Sequence, residues 1–271
     1  FQAPGKAYDE PIKAAFQGVL DGYNTLDAIA ALVFATLIVN SVKEIGFTDP
    51  KAISSQVMKS GMLAGLLLAL VYIFIAKIGA ESVAAIGMQD TGAPVLAESA
   101  KVFFGSFGAY LLAAIVLLAC ITTAVGLLTC CAAFFMQLTG KFTYVQWVIG
   151  FTVISYLIGL FGLKTIIVST IPVLMFIYPL CVALIALIFL HKFFGGRQCV
   201  YAWTMGFTFV MALVNGAETA GISMTGLEEV LKAYVPLHTY GMGWIPFAIV
   251  GFVIGLIWKV AVPAKAQNAA A

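Results

Sequence analysis

Apolar runs long enough to cross a lipid bilayer recur along this chain, and nothing else in the sequence restricts its fold as strongly. Residues 62–76 and 110–126 are almost continuously apolar. A helix needs about 20 such residues to cross roughly 30 Å of hydrocarbon. In lipid every backbone N–H and C=O must be bonded internally, so only helices and closed barrels span a membrane. A barrel would show alternating segments of about ten residues, and these runs do not alternate. With 62% hydrophobic and 10% charged residues and a mean hydropathy of +1.06, the chain falls in the membrane class. It reads as an all-α integral membrane protein, a single transmembrane helical domain.

Seven spans are expected, at residues 16–42, 59–79, 108–136, 144–162, 165–190, 200–215 and 243–260. Residues 80–107 read as a moderately polar loop with room for short helices of its own. If the first span runs from outside to inside, the inner segments hold Lys43, Lys51, Lys59, Lys141, Lys192, Arg197, Lys259 and Lys265, eight of the fourteen basic residues. Most acidic loop residues (Asp9, Glu10, Glu81, Asp90, Glu98, Glu228 and Glu229) then fall outside with Lys6, Lys13, Lys77, Lys101, Lys164 and Lys232. That bias favours a cytoplasmic C-terminus. The basic residues are scattered between spans, so no nucleic-acid partner is implied. The five cysteines have no CxxC spacing and read as packing thiols. Gly61-xxx-Gly65 and Gly251-xxx-Gly255 offer small faces for close helix contact. The opening FQAPGKAYDE has neither an initiator methionine nor a signal sequence, and a C-terminal portion of a longer chain is expected.

Against this background the stretch DGYNTLD, residues 21–27, is anomalous. A charge at mid-membrane costs about 2.5 to 3.5 kcal/mol on insertion scales, so Asp21 and Asp27 require an account. Six residues apart, they fall on roughly opposite faces of a regular helix. Continuous helix would expose one of them, whereas a break at Gly22 and Asn24 would not. Freed peptide groups are tolerated at membrane depth where they line protein or a water-filled cavity, as in the discontinuous helices of transporters. The segment is therefore expected to be an unwound ligand-binding point. The alternative places Asp21 at the outer interface and pairs Asp27 inside the bundle.

A second signal is ACITTAVG, residues 119–126. The hydroxyls of Thr122 and Thr123, with the Ala119 carbonyl, would offer hard oxygen ligands to a small cation. Thr in membrane helices also bonds back to its own i−4 carbonyl, and spacing alone does not choose. His191 reads as interfacial, His238 as part of the last outer loop, and Glu218 as lying at the outer interface. Pro172 and Pro179 are expected to kink the fifth span, as a hinge or a packing bend. No phosphate loop, HExxH, GxSxG or paired-histidine site is present, so no enzyme is expected.

GYNTLDAIAALVF (residues 22–34), ACITTAVGL (119–127) and STIPVLMFIYPL (169–180) closely resemble, in order, the bacterial branched-chain amino acid transporters of the LIVCS (BrnQ) family. The resemblance implies a LeuT-like arrangement of two inverted five-helix repeats followed by two extra helices, about twelve spans in all. This chain would supply the second repeat (about residues 1–195) and the extra pair (about 196–271). On that map the first span is the discontinuous helix of the repeat, and Ala119, Thr122 and Thr123 match the ligands of the fold's sodium site. Sodium would then be the coupling ion, with no other cofactor. The partners would be leucine, isoleucine and valine, the lipid bilayer and the first repeat, and the location the bacterial inner membrane. Carbonyls around Gly22, Tyr23 and Asn24, with Asp27, would take the substrate ammonium, and Tyr23 and Leu26 would line the side-chain pocket. Without the first repeat the chain alone would not transport. Proton coupling through Asp27, or a channel or scaffold role, are the competing readings.

Overall fold

The computed structural model describes residues 11–89, 91–222, 225–235 and 237–261. Lys6, Asp9, Glu10, Asp90 and Lys265, used above to orient the chain, lie outside them, as do the side chains of Lys164, Glu228, Glu229 and Lys232. All described elements are helical: α1 (Pro11–Asn24), α2 (Asp27–Glu44), α3 (Pro50–Ile86), α4 (Gly92–Thr139), α5 (Tyr144–Gly159), α6 (Leu163–Phe194), α7 (Gln198–Thr219), α8 (Thr225–Tyr234) and α9 (Trp244–Ala261), with a 3-10 turn at His238–Tyr240. Helices α3, α4, α6, α7 and α9 are long and apolar enough to cross a membrane. The pair α1 and α2, bent by 48°, forms a sixth span if counted as one.

Two expectations are corrected here. The segment 144–162 is helical only over Tyr144–Gly159, 16 residues, a length of about 24 Å against the roughly 30 Å of a bilayer core. The expected loop at 80–107 shrinks to residues 87–91, because α3 continues to Ile86 and α4 starts at Gly92. Local chemistry sets these ends. Asp49 caps α3 by accepting a hydrogen bond from the Ala52 N–H at 3.1 Å, with Pro50 in the first turn where its missing donor does no harm. Gly105 interrupts α4 at φ 62°, ψ −150°, a conformation that a side chain would forbid. Residues 92–104 are thereby a short helix ahead of the span.

The described residues divide into two compact units, one within 11–18 and 33–152, the other within 19–32 and 153–261. In the first, Gly126 of α4 receives the ring of Phe34 from α2, so close that a Cβ on Gly126 would lie 2.8 Å from Phe34 Cε1. An aromatic group of Phe135, Phe142, Trp147 and Phe151 joins the end of α4 to α5, with ring centroids 5.2–5.5 Å apart.

In the second unit α7 packs between α6 and α9. Its buried residues Val200, Thr204, Thr208, Met211, Ala212 and Asn215 recur at helical spacing. Thr204 and Thr208 remain inside because each hydroxyl donates to the carbonyl four residues earlier, at 2.8 Å. Gly251 and Gly255 form the facing stripe of α9: a Cβ on Gly251 would lie 2.7 Å from the Trp203 carbonyl oxygen, and one on Gly255 2.8 Å from Val200 Cα. Gly61 and Gly65, with the same spacing on α3, have nothing within 4 Å. Gly251→Leu is therefore expected to lower stability by about 1 to 3 kcal/mol through overpacking, whereas Gly61→Leu lowers it by less than about 0.5 kcal/mol. Thermal unfolding of the purified protein in detergent compares the two.

Helix α6 runs through both Pro172 and Pro179 without a break. Each proline removes one backbone donor. The Pro172 carbonyl oxygen lies 3.3 Å from where a Cβ on Gly216 of α7 would stand, so the helices approach closely there. His191 and Lys192 occupy the last turn of α6, where cations complement the helix dipole.

Candidate functional site

The anomalous stretch is a broken helix, and the break lies slightly later than expected. Helix α1 holds its geometry through Gly22 and Asn24, and the chain departs from it at Thr25 and Leu26. The residue in the left-handed region is Leu26, at φ 60°, rather than a glycine or asparagine. Such a conformation in a branched apolar residue is uncommon and persists only where its surroundings impose it.

Those surroundings begin with the turn itself. The Thr25 N–H donates to the Gly22 carbonyl at 3.4 Å, and the Leu26 N–H to the Tyr23 carbonyl at 3.2 Å. Both carbonyls are thus satisfied at a helix end that would otherwise leave them open. The Thr25 hydroxyl lies 2.7 Å from the same Gly22 oxygen and 3.1 Å from Asp27 Oδ2. One side chain therefore links the end of α1 to the carboxylate that opens α2. Asp27, in the first turn of α2, also stands where a negative charge is favoured by the helix dipole.

Three aromatic residues hold the break from the other side. The Tyr23 ring meets Tyr178 of α6 edge-to-face, with centroids 4.8 Å apart at 74°. It stacks on Trp244, the first residue of α9, at 6.4 Å and 22°. The Trp244 indole N–H donates to the Tyr23 hydroxyl at 2.9 Å. Tyr178 and Trp244 are each 6% exposed. The Tyr178 hydroxyl interacts with the backbone of Ala28, in the first turn of α2, and lies within electrostatic reach of Asp27. Tyr23 thus fastens the last turn of α1, and Tyr178 meets the first turn of α2.

Tyr23 is accordingly half-buried in the cluster of Ala183, Met211, Leu231 and Trp244. Leu26 is half-buried, while Gly22, Asn24 and Asp27 are exposed. Tyr178 lay inside the FIYPL segment but carried no signal of its role. Trp244, 221 residues from Tyr23, could be found only in three dimensions.

The second group of expected residues belongs to the other unit. Ala119, Thr122 and Thr123 lie on α4 and are exposed. The Thr122 hydroxyl stands 3.0 Å from both the Leu118 and the Ala119 carbonyl oxygens, so its proton is directed back into its own helix. Its lone pairs point away from those carbonyls. Gly126, at the next turn, is where Phe34 seats. Among the described residues no group of three or more His, Cys, Asp or Glu is placed to hold a metal ion.

In the segment before α9 the ring of His238 is buried, beside a partly exposed Glu218. His238 is 5% exposed, and its Nε2 lies 3.4 Å from Glu218 Oε1 in the last turn of α7. The approach of Gly243, whose added Cβ would fall 3.0 Å from His238 Nδ1, closes the other side. The 3-10 turn is folded beneath the start of α9 rather than extended as a loop, which buries the ring.

Several apolar helices, one span broken beside a carboxylate and an aromatic cluster, define a multi-pass integral membrane protein. Residues 1–262 match the model of the family described as branched-chain amino acid transport protein, and the chain belongs to that family. Its relatives include the branched-chain amino acid permease BrnQ of Bacillus subtilis, 37% identical over 96% of this chain and 58% of that protein. The permease BraB of the same organism is 39% identical over 93% of this chain and 57% of its own length. BrnQ of Lactobacillus delbrueckii is 36% identical over 88% and 54%. The chain therefore spans little more than half the length of these relatives. They are named permeases, which are transporters and not enzymes. No solved structure matched the chain.

Proposed function

We propose that this chain forms the second repeat and the two following helices of a LeuT-like secondary transporter that takes up leucine, isoleucine and valine across the bacterial inner membrane with sodium. The broken helix between Asn24 and Asp27 carries the reading. A break held by Tyr23, Tyr178 and Trp244 brings two helix ends and the Asp27 carboxylate to one place, and helix ends favour charged groups. The family membership and the names of the relatives support the substrate class.

In this reading the end of α1 and Asp27 take the substrate ammonium, and Leu26 contributes to the pocket for the side chain. A first repeat, in a transporter of the relatives' length, supplies the carboxylate contacts. Hydrophobic pockets separate single methylenes by only about 1 to 3 kcal/mol, so the three amino acids share the site. Sodium is held by the Ala119 carbonyl and the Thr122 and Thr123 hydroxyls. Because Thr122 donates its proton backward, its oxygen faces a cation with lone pairs rather than hydrogen. Sodium binding then favours the substrate-competent arrangement by differential affinity between states. The basic residues of the loops support a cytoplasmic C-terminus.

The test is uptake of labelled isoleucine into vesicles containing the full-length transporter, with and without an inward sodium gradient. Saturable uptake that needs sodium and is competed by leucine and valine is the expected result. Conductance without saturation identifies a channel, and uptake driven by a proton gradient alone removes sodium from the mechanism.

A further inference from the structure

We propose that the junction of α3 with the start of α4 holds a binding site for a small aliphatic ligand bearing a primary ammonium group. The site is a cavity of about 200 Å³, built wholly within the first unit. One face of α3, at residues 78, 81, 82, 85 and 86, meets the face of the short helix at residues 99, 102 and 103. Both sets follow helical spacing, so the two faces are continuous walls.

Its polar groups are incompletely used. Ser99 is 5% exposed, and its hydroxyl oxygen has no hydrogen-bond partner among the described residues. Glu81 Oε2 is buried and equally unpartnered. Its other oxygen, Oε1, lies 3.9 Å from Lys77 Nζ, too long for a hydrogen bond. Ser82 is buried beside them and donates to the Gly79 carbonyl at 3.1 Å, which leaves its lone pairs as acceptors. A buried carboxylate oxygen without a donor is costly, and Lys77 at that distance and half exposed does little to relieve it.

The lining selects the occupant. Glu81 only accepts hydrogen bonds when ionised, and three oxygens match the three N–H groups of a primary ammonium. The remaining walls, with Ile78, Ile86 and Phe103, are apolar. They suit an aliphatic body and leave a bare metal ion far short of the six or more oxygens a hard cation collects. A water has a share of only about 30 Å³ of liquid volume, so one molecule would leave most of this cavity unfilled. A simple amine and an amino acid share the ammonium and the aliphatic chain.

The experiment is calorimetric titration of the full-length protein in lipid nanodiscs with isoamylammonium. Saturable binding is expected, weakened about tenfold or more by Glu81→Gln, through loss of a charge-assisted hydrogen bond. Ser99→Ala removes only an unpartnered hydroxyl, leaves the fold intact and is expected to weaken binding as well. Isoamyl alcohol, which lacks the charge, is expected to bind at least about tenfold more weakly. Displacement by leucine would assign the site to amino acids, and failure of leucine to displace would assign it to amines; both sustain the proposal. Absence of isoamylammonium binding, or binding indifferent to both substitutions, overturns it and leaves the cavity to water. The result is independent of the transport reading, since it scores binding at residues of a different unit from the helix break.

Discussion

Tyr23→Ala is expected to unfasten the helix break and, under the proposed function, to weaken substrate binding. The ring contacts two buried aromatic side chains, Tyr178 at 4.8 Å and Trp244 at 6.4 Å between centroids. Its hydroxyl is the acceptor for the Trp244 indole N–H. Truncating a fully buried aromatic costs about 3 to 5 kcal/mol, and the half-buried Tyr23 is expected near the lower end of that range. Tyr23→Phe separates the two contributions. It keeps the ring contacts but leaves the buried indole donor unsatisfied, for a loss of about 1 to 3 kcal/mol. Thermal unfolding in detergent measures both, and isoleucine uptake by the full-length transporter gives the functional counterpart. Retained Michaelis constants in Tyr23→Ala would show that the aromatic cluster is packing alone and that the helix break does not need it.

The same residues show what could be read before the structure and what could not. The break was legible because intramembrane carboxylates are expensive in regular helix, and the cost is local to residues 21–27. Its fine position was not. A glycine and an asparagine nearby are the usual residues for such a bend, yet the chain turns at Leu26, φ 60°, because Thr25 and Tyr23 have tertiary and turn partners that fix the geometry there. Tyr178 and Trp244 belong to α6 and α9, and no periodicity links them to Tyr23. The two glycine pairs make the same point. Gly251 and Gly255 meet α7, whereas a Cβ on Gly61 or Gly65 would meet no neighbouring element within 4 Å, although their spacing is identical. Small faces permit close approach, and only a partner realises it. The burial of His238 was unreadable for a related reason: it does lie in the loop before α9, but Glu218 and Gly243 enclose its ring. The span at residues 144–162 was overextended because composition cannot see that the helix stops at Gly159.

Thr122→Ala carries the larger mechanistic consequence. If Thr122 is a sodium ligand, its loss leaves substrate binding chemically possible but no longer favoured by sodium. Coupling free energies of about 1 to 3 kcal/mol correspond to roughly 5- to 150-fold in affinity. Uptake by the full-length transporter in saturating sodium is therefore expected to fall toward the sodium-free rate by a factor in that range, while the sodium-free rate stays as it was. Thr122→Ser discriminates ligand from packing. Serine keeps the hydroxyl that donates to the Leu118 and Ala119 carbonyls at 3.0 Å and loses only a methyl group, so sodium dependence is expected to survive. Thr122 is exposed, and neither substitution opens a buried cavity. Equal sodium dependence in wild type and Thr122→Ala would confine the hydroxyl to its own helix, as ordinary back-bonding in a membrane span. Asp27, joined to Thr25 at 3.1 Å at the start of α2, would then be the residue through which coupling to protons should be sought.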